Sequence, residues 1–229
     1  IRDKLVTGVQ TCALPILHDQ IDDAVLDAAG PQLKVIANVA VGFNNVDTDA
    51  IAKRGTVWFT NTPAVLTEAT ADIAMALILM TTRRLGEGER VIRSETPWVW
   101  SMFYMLGAGI QGKTLGIVGL GLIGQATARR AKAFGMEIVY SGRRQADPAV
   151  EAELGARYVT FDELLETADV VSLHCPLNDE TKHLIDADRL RQMRSDAFLV
   201  NTTRGPVVDE QALVDALRAG EIAGAGLDV

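Results

Sequence analysis

The residues best suited to chemistry are Gly119-Leu120-Gly121-Leu122-Ile123-Gly124. They follow the apolar run TLGIV and open an Ala-rich stretch, so the spacing predicts strand, tight turn and helix in immediate succession. Each glycine then has its own role in holding a dinucleotide. Gly119 permits the turn, Gly121 lets backbone approach a pyrophosphate, and Gly124 allows close helix–strand packing. The first helical N–H groups, around Leu122 and Ile123, supply oriented donors. Outside a strand–turn–helix setting the same glycines would be only a flexible turn.

Cofactor choice is read about 20 residues further on, where users of NAD place an acid against the ribose 2′-hydroxyl. This chain has Tyr140-Ser141-Gly142-Arg143-Arg144 there, with no Asp or Glu. An acid would repel a 2′-phosphate, whereas Ser141 with Arg143 or Arg144 can bind one through charge-assisted bonds. NADP(H) is favoured and NAD(H) is the alternative, since the arginines also read as solvated loop residues.

The elements that must position these groups follow from periodicity and breakers. Strands are expected at 114–118, 137–141, near Tyr158, at 169–173 and at 197–201, with AGAGLDV as a sixth. Helices are expected between them at 123–134, 147–154, after a Thr160-x-x-Glu163 capping box, at 186–193 and at 209–219, the last closed by Gly220. That alternation describes an α/β, doubly wound parallel sheet of the Rossmann type. Upstream, residues 33–60 read as β-α-β, part of a second, flavodoxin-like α/β substrate domain. Asn61-Thr62-Pro63 breaks it, and Thr67 caps a long linking helix to about Arg84, with Glu68 and Asp72 set early against the helix dipole. Residues 17–95 are thus assigned to the partial substrate domain and 96–229 to the NAD(P)-binding domain. Between Pro97 and Gly112 lies an aromatic connector holding Trp98, Trp100, Phe103 and Tyr104, a candidate partner surface.

Composition narrows the partners. The chain has 229 residues, 48% of them hydrophobic, and a formal net charge of -8, which offers no attraction to nucleic acid or anionic lipid. Cys12 and Cys175 lie far apart without a CxxC pattern, so neither a disulfide framework nor a metal site is expected, and a reducing cytoplasm fits. The longest apolar run, 69–82, is interrupted by Asp72 and falls short of the about 20 residues that span a bilayer. The opening IRDKLVTGVQTCALPI has the charge pattern of a signal peptide. Residues 6–16 nevertheless read as a translated sequencing adapter, so 1–16 are set aside as a non-native leader. The chain ends inside an apolar segment, and both ends are read as truncated.

From about Asp23 onward the chain resembles the D-isomer-specific 2-hydroxyacid dehydrogenases, most closely their glyoxylate/hydroxypyruvate reductase branch. The resemblance is carried by NVAVGFNNVD at 38–47, NTPAVLTEATAD at 61–72, GKTLGIVGLGLIG at 112–124, HCPLNDETKHLI at 174–185, NTTRGPVVDE at 201–210 and the terminal GAGLDV. It implies that Val41 and Gly42 offer N–H groups to a substrate carboxylate and that Thr67 approaches the nicotinamide. It also implies that Cys175 and Pro176 lie beside the adenosine half, and that Asp228 lies near the nicotinamide amide. Thr202 and Thr203 fall in the same cofactor motif. Arg204 is the leading catalytic candidate, because it follows the fifth strand, where doubly wound folds bind ligands. A guanidinium there can clamp a 2-oxo acid and polarise its ketone oxygen; without the motif it would be a surface ion pair.

The family supplies its proton donor, a His oriented by a Glu, after the GAGLDV segment. None of His18, His174 and His183 fits that role, so the fragment is expected to turn over poorly. Three readings stand side by side: an NADPH-dependent glyoxylate or hydroxypyruvate reductase, an NAD-dependent relative acting on another 2-oxo acid, and a dinucleotide-sensing module of the corepressor type. The resemblance also implies a homodimer.

Overall fold

The structure, a computed structural model, describes residues 11–16, 18–95 and 97–229. It falls into two compact units, one ending at Leu66 and one beginning at Thr67.

In the first unit three parallel strands, β1 (Cys12–Ala13), β2 (Val35–Ala37) and β3 (Trp58–Thr60), lie in the order β1-β2-β3 among the described residues. Helix α1 (Asp23–Ala29) starts where Asp22 accepts from Val25 N–H, and α2 (Thr48–Arg54) where Asp47 accepts from Ala50 N–H. Gly55, left-handed at φ 63°, ends α2. Leu26, Leu33, Ile36, Val46, Ala50 and Ile51 form the core. Strand β1 lies in the segment set aside as a leader. It pairs with Val35 and Ile36 and buries Ala13 to 5% exposure, so this part of the segment is built into the sheet. The earlier leader residues lie outside the described ones.

The second unit holds a six-stranded sheet, parallel throughout. Its strands are β4 (Thr114–Val118), β5 (Glu137–Ser141), β6 (Ala156–Tyr158), β7 (Val170–Leu173), β8 (Phe198–Asn201) and β9 (Gly224–Leu227), in the order β6-β5-β4-β7-β8-β9. The order reverses between β4 and β7, which opens a crevice at the carboxyl ends of those strands. The strands read as apolar runs because both faces are covered. One cluster, around Leu164, Leu165, Leu173 and Leu199, fills one side, and another, around Met75, Ile78, Leu115 and Tyr140, fills the other.

The long helix α3 (Thr67–Thr82) begins at Thr67 and packs with this second unit. Its Ala71, Ala74, Met75 and Ile78 are buried, and it lies so close to β9 that a Cβ on Gly226 would come within 3.1 Å of Leu77 Cβ. Arg130 fastens it further, reaching Asp72 and Glu68 at 2.7 Å. The helix stops at Thr82, two residues before the expected end, because Arg84 turns left-handed at φ 55°. A second helix follows, α4 (Leu85–Arg93), which the sequence reading did not anticipate. Gly86 and Gly88 hide its period, and it buries no residue.

Helices α5 (Leu122–Ala133), α6 (Pro148–Leu154), α7 (Phe161–Thr167), α8 (Ala187–Gln192) and α9 (Glu210–Ala219) fall within a residue or two of expectation. The capping box at α7 is only half made. Thr160 Oγ1 accepts from Glu163 N–H at 3.1 Å, but the Glu163 carboxylate turns to Arg157 at 2.7 Å. In the aromatic connector Trp98 stacks on Tyr104 with centroids 6.0 Å apart, and Trp100 and Phe103 stand 78% exposed. No helix among the described residues is long and apolar enough to cross a membrane.

Candidate functional site

The glycine turn after β4 has the geometry its spacing predicts, with a different constraint at each position. Gly119 sits at φ 96°, and a Cβ there would come within 3.1 Å of Cys175 N and His174 O. At Gly124 a Cβ would stand 2.4 Å from Gly119 O, so the helix closes on the turn only because no side chain intervenes. A Cβ at Gly121, by contrast, would meet nothing within 4 Å. Gly121 caps α5 without a side-chain hydrogen bond, which leaves the first N–H groups of the helix to an outside acceptor. Leu122 is exposed and Ile123 half-buried beside it.

A dinucleotide fits this turn. Besides the open space at Gly121, His174 Nδ1 and Thr202 Oγ1 are buried with no hydrogen-bond partner among the described residues. Both immediately follow strands paired at Leu173 and Asn201, at the carboxyl end of the sheet. Buried polar atoms are normally satisfied, so two orphans at one crevice mark a surface that expects a ligand.

Ser141, expected at the ribose, ends β5, buried, with its carbonyl accepting from Gly119 N–H at 2.8 Å. Arg143 and Arg144 follow on an exposed loop, and neither forms an ion pair among the described residues. Two tyrosines that the sequence reading passed over anchor this loop. Tyr158 OH donates to Gly142 O at 2.9 Å, while Tyr140 OH accepts from Ala146 N–H at 2.8 Å and donates to Glu151 Oε1 at 2.5 Å. Burial, aided by the Glu151 bond, pushes the Tyr140 hydroxyl up to about 12, so it remains a donor.

Asn201 organises the other end of the crevice. Its Oδ1 accepts from Thr203 N–H at 2.9 Å and Thr203 Oγ1 at 2.7 Å, its Nδ2 donates to Arg204 O at 2.9 Å, and its own carbonyl accepts from Asp228 N–H at 3.0 Å. Arg204 is half-buried, with Nη1 donating to Thr203 O at 2.7 Å. Burial pushes its pKa down from the ordinary arginine value, yet a guanidinium remains a cation at neutral pH. Asp228 is exposed.

Among the remaining candidates, His18 and His183 are exposed. His174 lies 2.9 Å by Nε2 from Ser172 Oγ, and desolvation pushes it down to about 4, so it is neutral at pH 7. The Cys175 side chain packs in the core and its thiol is pushed up to about 11 by burial, which leaves its backbone and the exposed Pro176 to meet a ligand. Thr67 opens α3, half-buried. Among the described residues no group of three His, Cys, Asp or Glu is placed to hold a metal ion. In the first unit Val41 and Gly42 lie partly exposed in the loop after β2.

Residues 75–229 match the NAD binding domain of the D-isomer specific 2-hydroxyacid dehydrogenases. A glyoxylate reductase of Thermococcus litoralis is 50% identical over 218 residues, covering 93% of this chain and 65% of its own length. One from Korarchaeum cryptofilum is 50% identical over 230 residues, covering 98% and 68%. This chain therefore spans about two thirds of the curated relatives it matches. A crystal structure of a Thermus thermophilus protein superposes with a TM-score of 0.90 at 46% identity, over 100% of this chain and 70% of that one. By the matched domain and by this level of identity, the chain belongs to the D-isomer specific 2-hydroxyacid dehydrogenase family.

Proposed function

We propose that the full-length protein reduces a short 2-oxo acid, glyoxylate or hydroxypyruvate, to the D-2-hydroxy acid with NADPH. The observation that carries this reading is Arg204 at the carboxyl end of β8, a half-buried cation whose main chain is held by Asn201 and whose guanidinium donates to Thr203 O, in the unit whose glycine turn fits a pyrophosphate. When bound, the dinucleotide supplies the hydride. Arg204 stabilises the charge that develops on the oxo oxygen, and the N–H groups of Val41 and Gly42 hold the carboxylate. Gly119, Gly121 and Gly124 with Leu122 and Ile123 hold the pyrophosphate, while Thr67, Thr202, Thr203 and Asp228 line the nicotinamide end. The name glyoxylate reductase borne by both relatives above supports the choice of substrate. The proton that accompanies the hydride is assigned to none of the three histidines of this chain, so these 229 residues alone are proposed to turn over slowly.

Preference for NADPH rests on Ser141, Arg143 and Arg144 and on the absence of an acid beside them. The test is oxidation of NADPH and NADH, followed by absorbance, with glyoxylate and hydroxypyruvate and the full-length protein. Efficiency with NADPH should exceed that with NADH by about tenfold or more, equivalent to about 1.4 kcal/mol, and Arg143→Ala with Arg144→Ala should abolish the difference. Equal use of both cofactors would point to the NAD-dependent relative. Binding without turnover would point to a sensing module.

The exposed Trp98, Trp100 and Phe103 support a homodimer, and the free Cys175 suits a reducing cytoplasm. Light scattering should give twice the protomer mass, falling to the protomer mass in Trp100→Glu. A wild-type protein that is monomeric at micromolar concentration contradicts this.

A further inference from the structure

In the loop that follows β2, four consecutive carbonyls are each engaged by the protein. Thr62 N–H donates to Ala40 O and Val46 N–H to Phe43 O, both at 3.0 Å. Between them Asn61 Nδ2 donates to Val41 O at 2.8 Å, and Asn38 Nδ2 donates to Gly42 O at 3.0 Å. A trans peptide holds its C=O and its N–H on opposite sides, and no cis bond is present among the described residues. Fixing the carbonyls of Ala40, Val41 and Gly42 therefore turns the N–H groups of Val41, Gly42 and Phe43 the other way. Those three N–H groups have no hydrogen-bond partner among the described residues. In this partly exposed loop the three N–H groups are open to an outside acceptor, and a carboxylate, with two oxygens, can accept from all three.

Asn38 is itself held. Asn38 and Asn45 are each 1% exposed and bond to one another in both directions, at 3.2 and 3.4 Å. Asn45 Nδ2 also reaches Ile16 O at 3.3 Å and Asp19 O at 3.1 Å. A buried amide pair is unfavourable unless satisfied, and here Asn38 bonds into the loop at Gly42 while Asn45 bonds to the carbonyls of Ile16 and Asp19.

We infer that Asn61 and Asn38 are positioning residues that aim the N–H groups of Val41, Gly42 and Phe43 at the substrate carboxylate. This rests on the reading above that Val41 and Gly42 receive that carboxylate, and adds Phe43 as a third donor. Selection for an acid over a neutral oxo compound then depends on two side chains that never touch the substrate.

The test uses the full-length protein and the variant Asn61→Leu, which keeps side-chain size, adds no charge and removes the donor to Val41 O. The KM for glyoxylate should rise about tenfold, while kcat, the KM for NADPH and the melting temperature change little. The preference for glyoxylate over its neutral amide should fall by the same factor, and Asn61→Gln, which keeps a donor, should recover part of it. If Asn61→Leu does not fold, Asn61→Ala is measured for the same preference. An unchanged glyoxylate KM overturns the inference but leaves the carboxylate reading intact, provided the wild type prefers the acid. A wild type indifferent to acid or amide overturns that reading itself. A lower melting temperature with both KM values rising together would make Asn61 merely structural, and the inference falls.

Discussion

Replacing Arg204 by Ala in the full-length protein is expected to lower kcat/KM for glyoxylate by about 100- to 1000-fold, roughly 2.7–4 kcal/mol of lost transition-state stabilisation. The size follows from its setting. Arg204 is half-buried, its main chain is pinned by Asn201, and its Nη1 is oriented by Thr203 O, so the cation is held before substrate arrives. A charge prepositioned where water is partly excluded acts more strongly on developing negative charge than a mobile surface charge does. Arg204→Lys keeps the charge but loses the planar fork, and should fall between wild type and Ala. NADPH affinity, measured by fluorescence titration, should change little in both variants, because the dinucleotide turn lies at the end of β4. A variant with Ala at this position that retains turnover within about twofold would remove Arg204 from the reaction.

The glycine turn gives a second large effect, and one that separates two residues alike in sequence. Gly124→Ala would place a Cβ 2.4 Å from Gly119 O and 3.2 Å from Ile117 Cγ2. The nearer atom is backbone in the turn itself, so relief requires α5 to move away from β4. Overpacking of this kind costs about 1–3 kcal/mol, and the displaced turn should also lose cofactor affinity. Gly121→Ala meets nothing within 4 Å and should fold with its melting temperature unchanged. Its Cβ would stand where a pyrophosphate approaches, so NADPH binding should still weaken, by about tenfold or more. Thermal melting and cofactor titration on the two variants check this directly. Equal stability of both would show that Gly124 is not needed for packing.

Local physics made most of the second unit legible. Apolar runs bounded by caps locate β4, β5 and β7 within a residue, because strands covered on both faces have little choice of composition. Asp209 and Gly220 mark the two ends of α9 by capping and by a left-handed turn at φ 70°, both local events. Where the reading went astray, local preference had been overridden. Helix α4 forms across Gly86 and Gly88, despite their poor propensity. Cys12 and Ala13 pair with the edge of β2, a contact no local signal announces, whatever the origin of residues 1–16.

By itself the sequence determined the order and type of the elements from β4 onward, the glycine turn that fits a dinucleotide, and the presence of Arg204 just past a strand end, because each depends on neighbours a few residues away. Only the tertiary structure decided how these groups are aimed. Asn61 reaches Val41 across 20 residues, Tyr158 reaches Gly142 across 16, and the Asp228 N–H finds the Asn201 carbonyl through pairing of β8 with β9. An asparagine at a strand end or a tyrosine in an apolar run carries no mark of its partner. That partner is set by sheet register and chain reversal, which bring distant peptide groups within hydrogen-bond distance only once the core has closed.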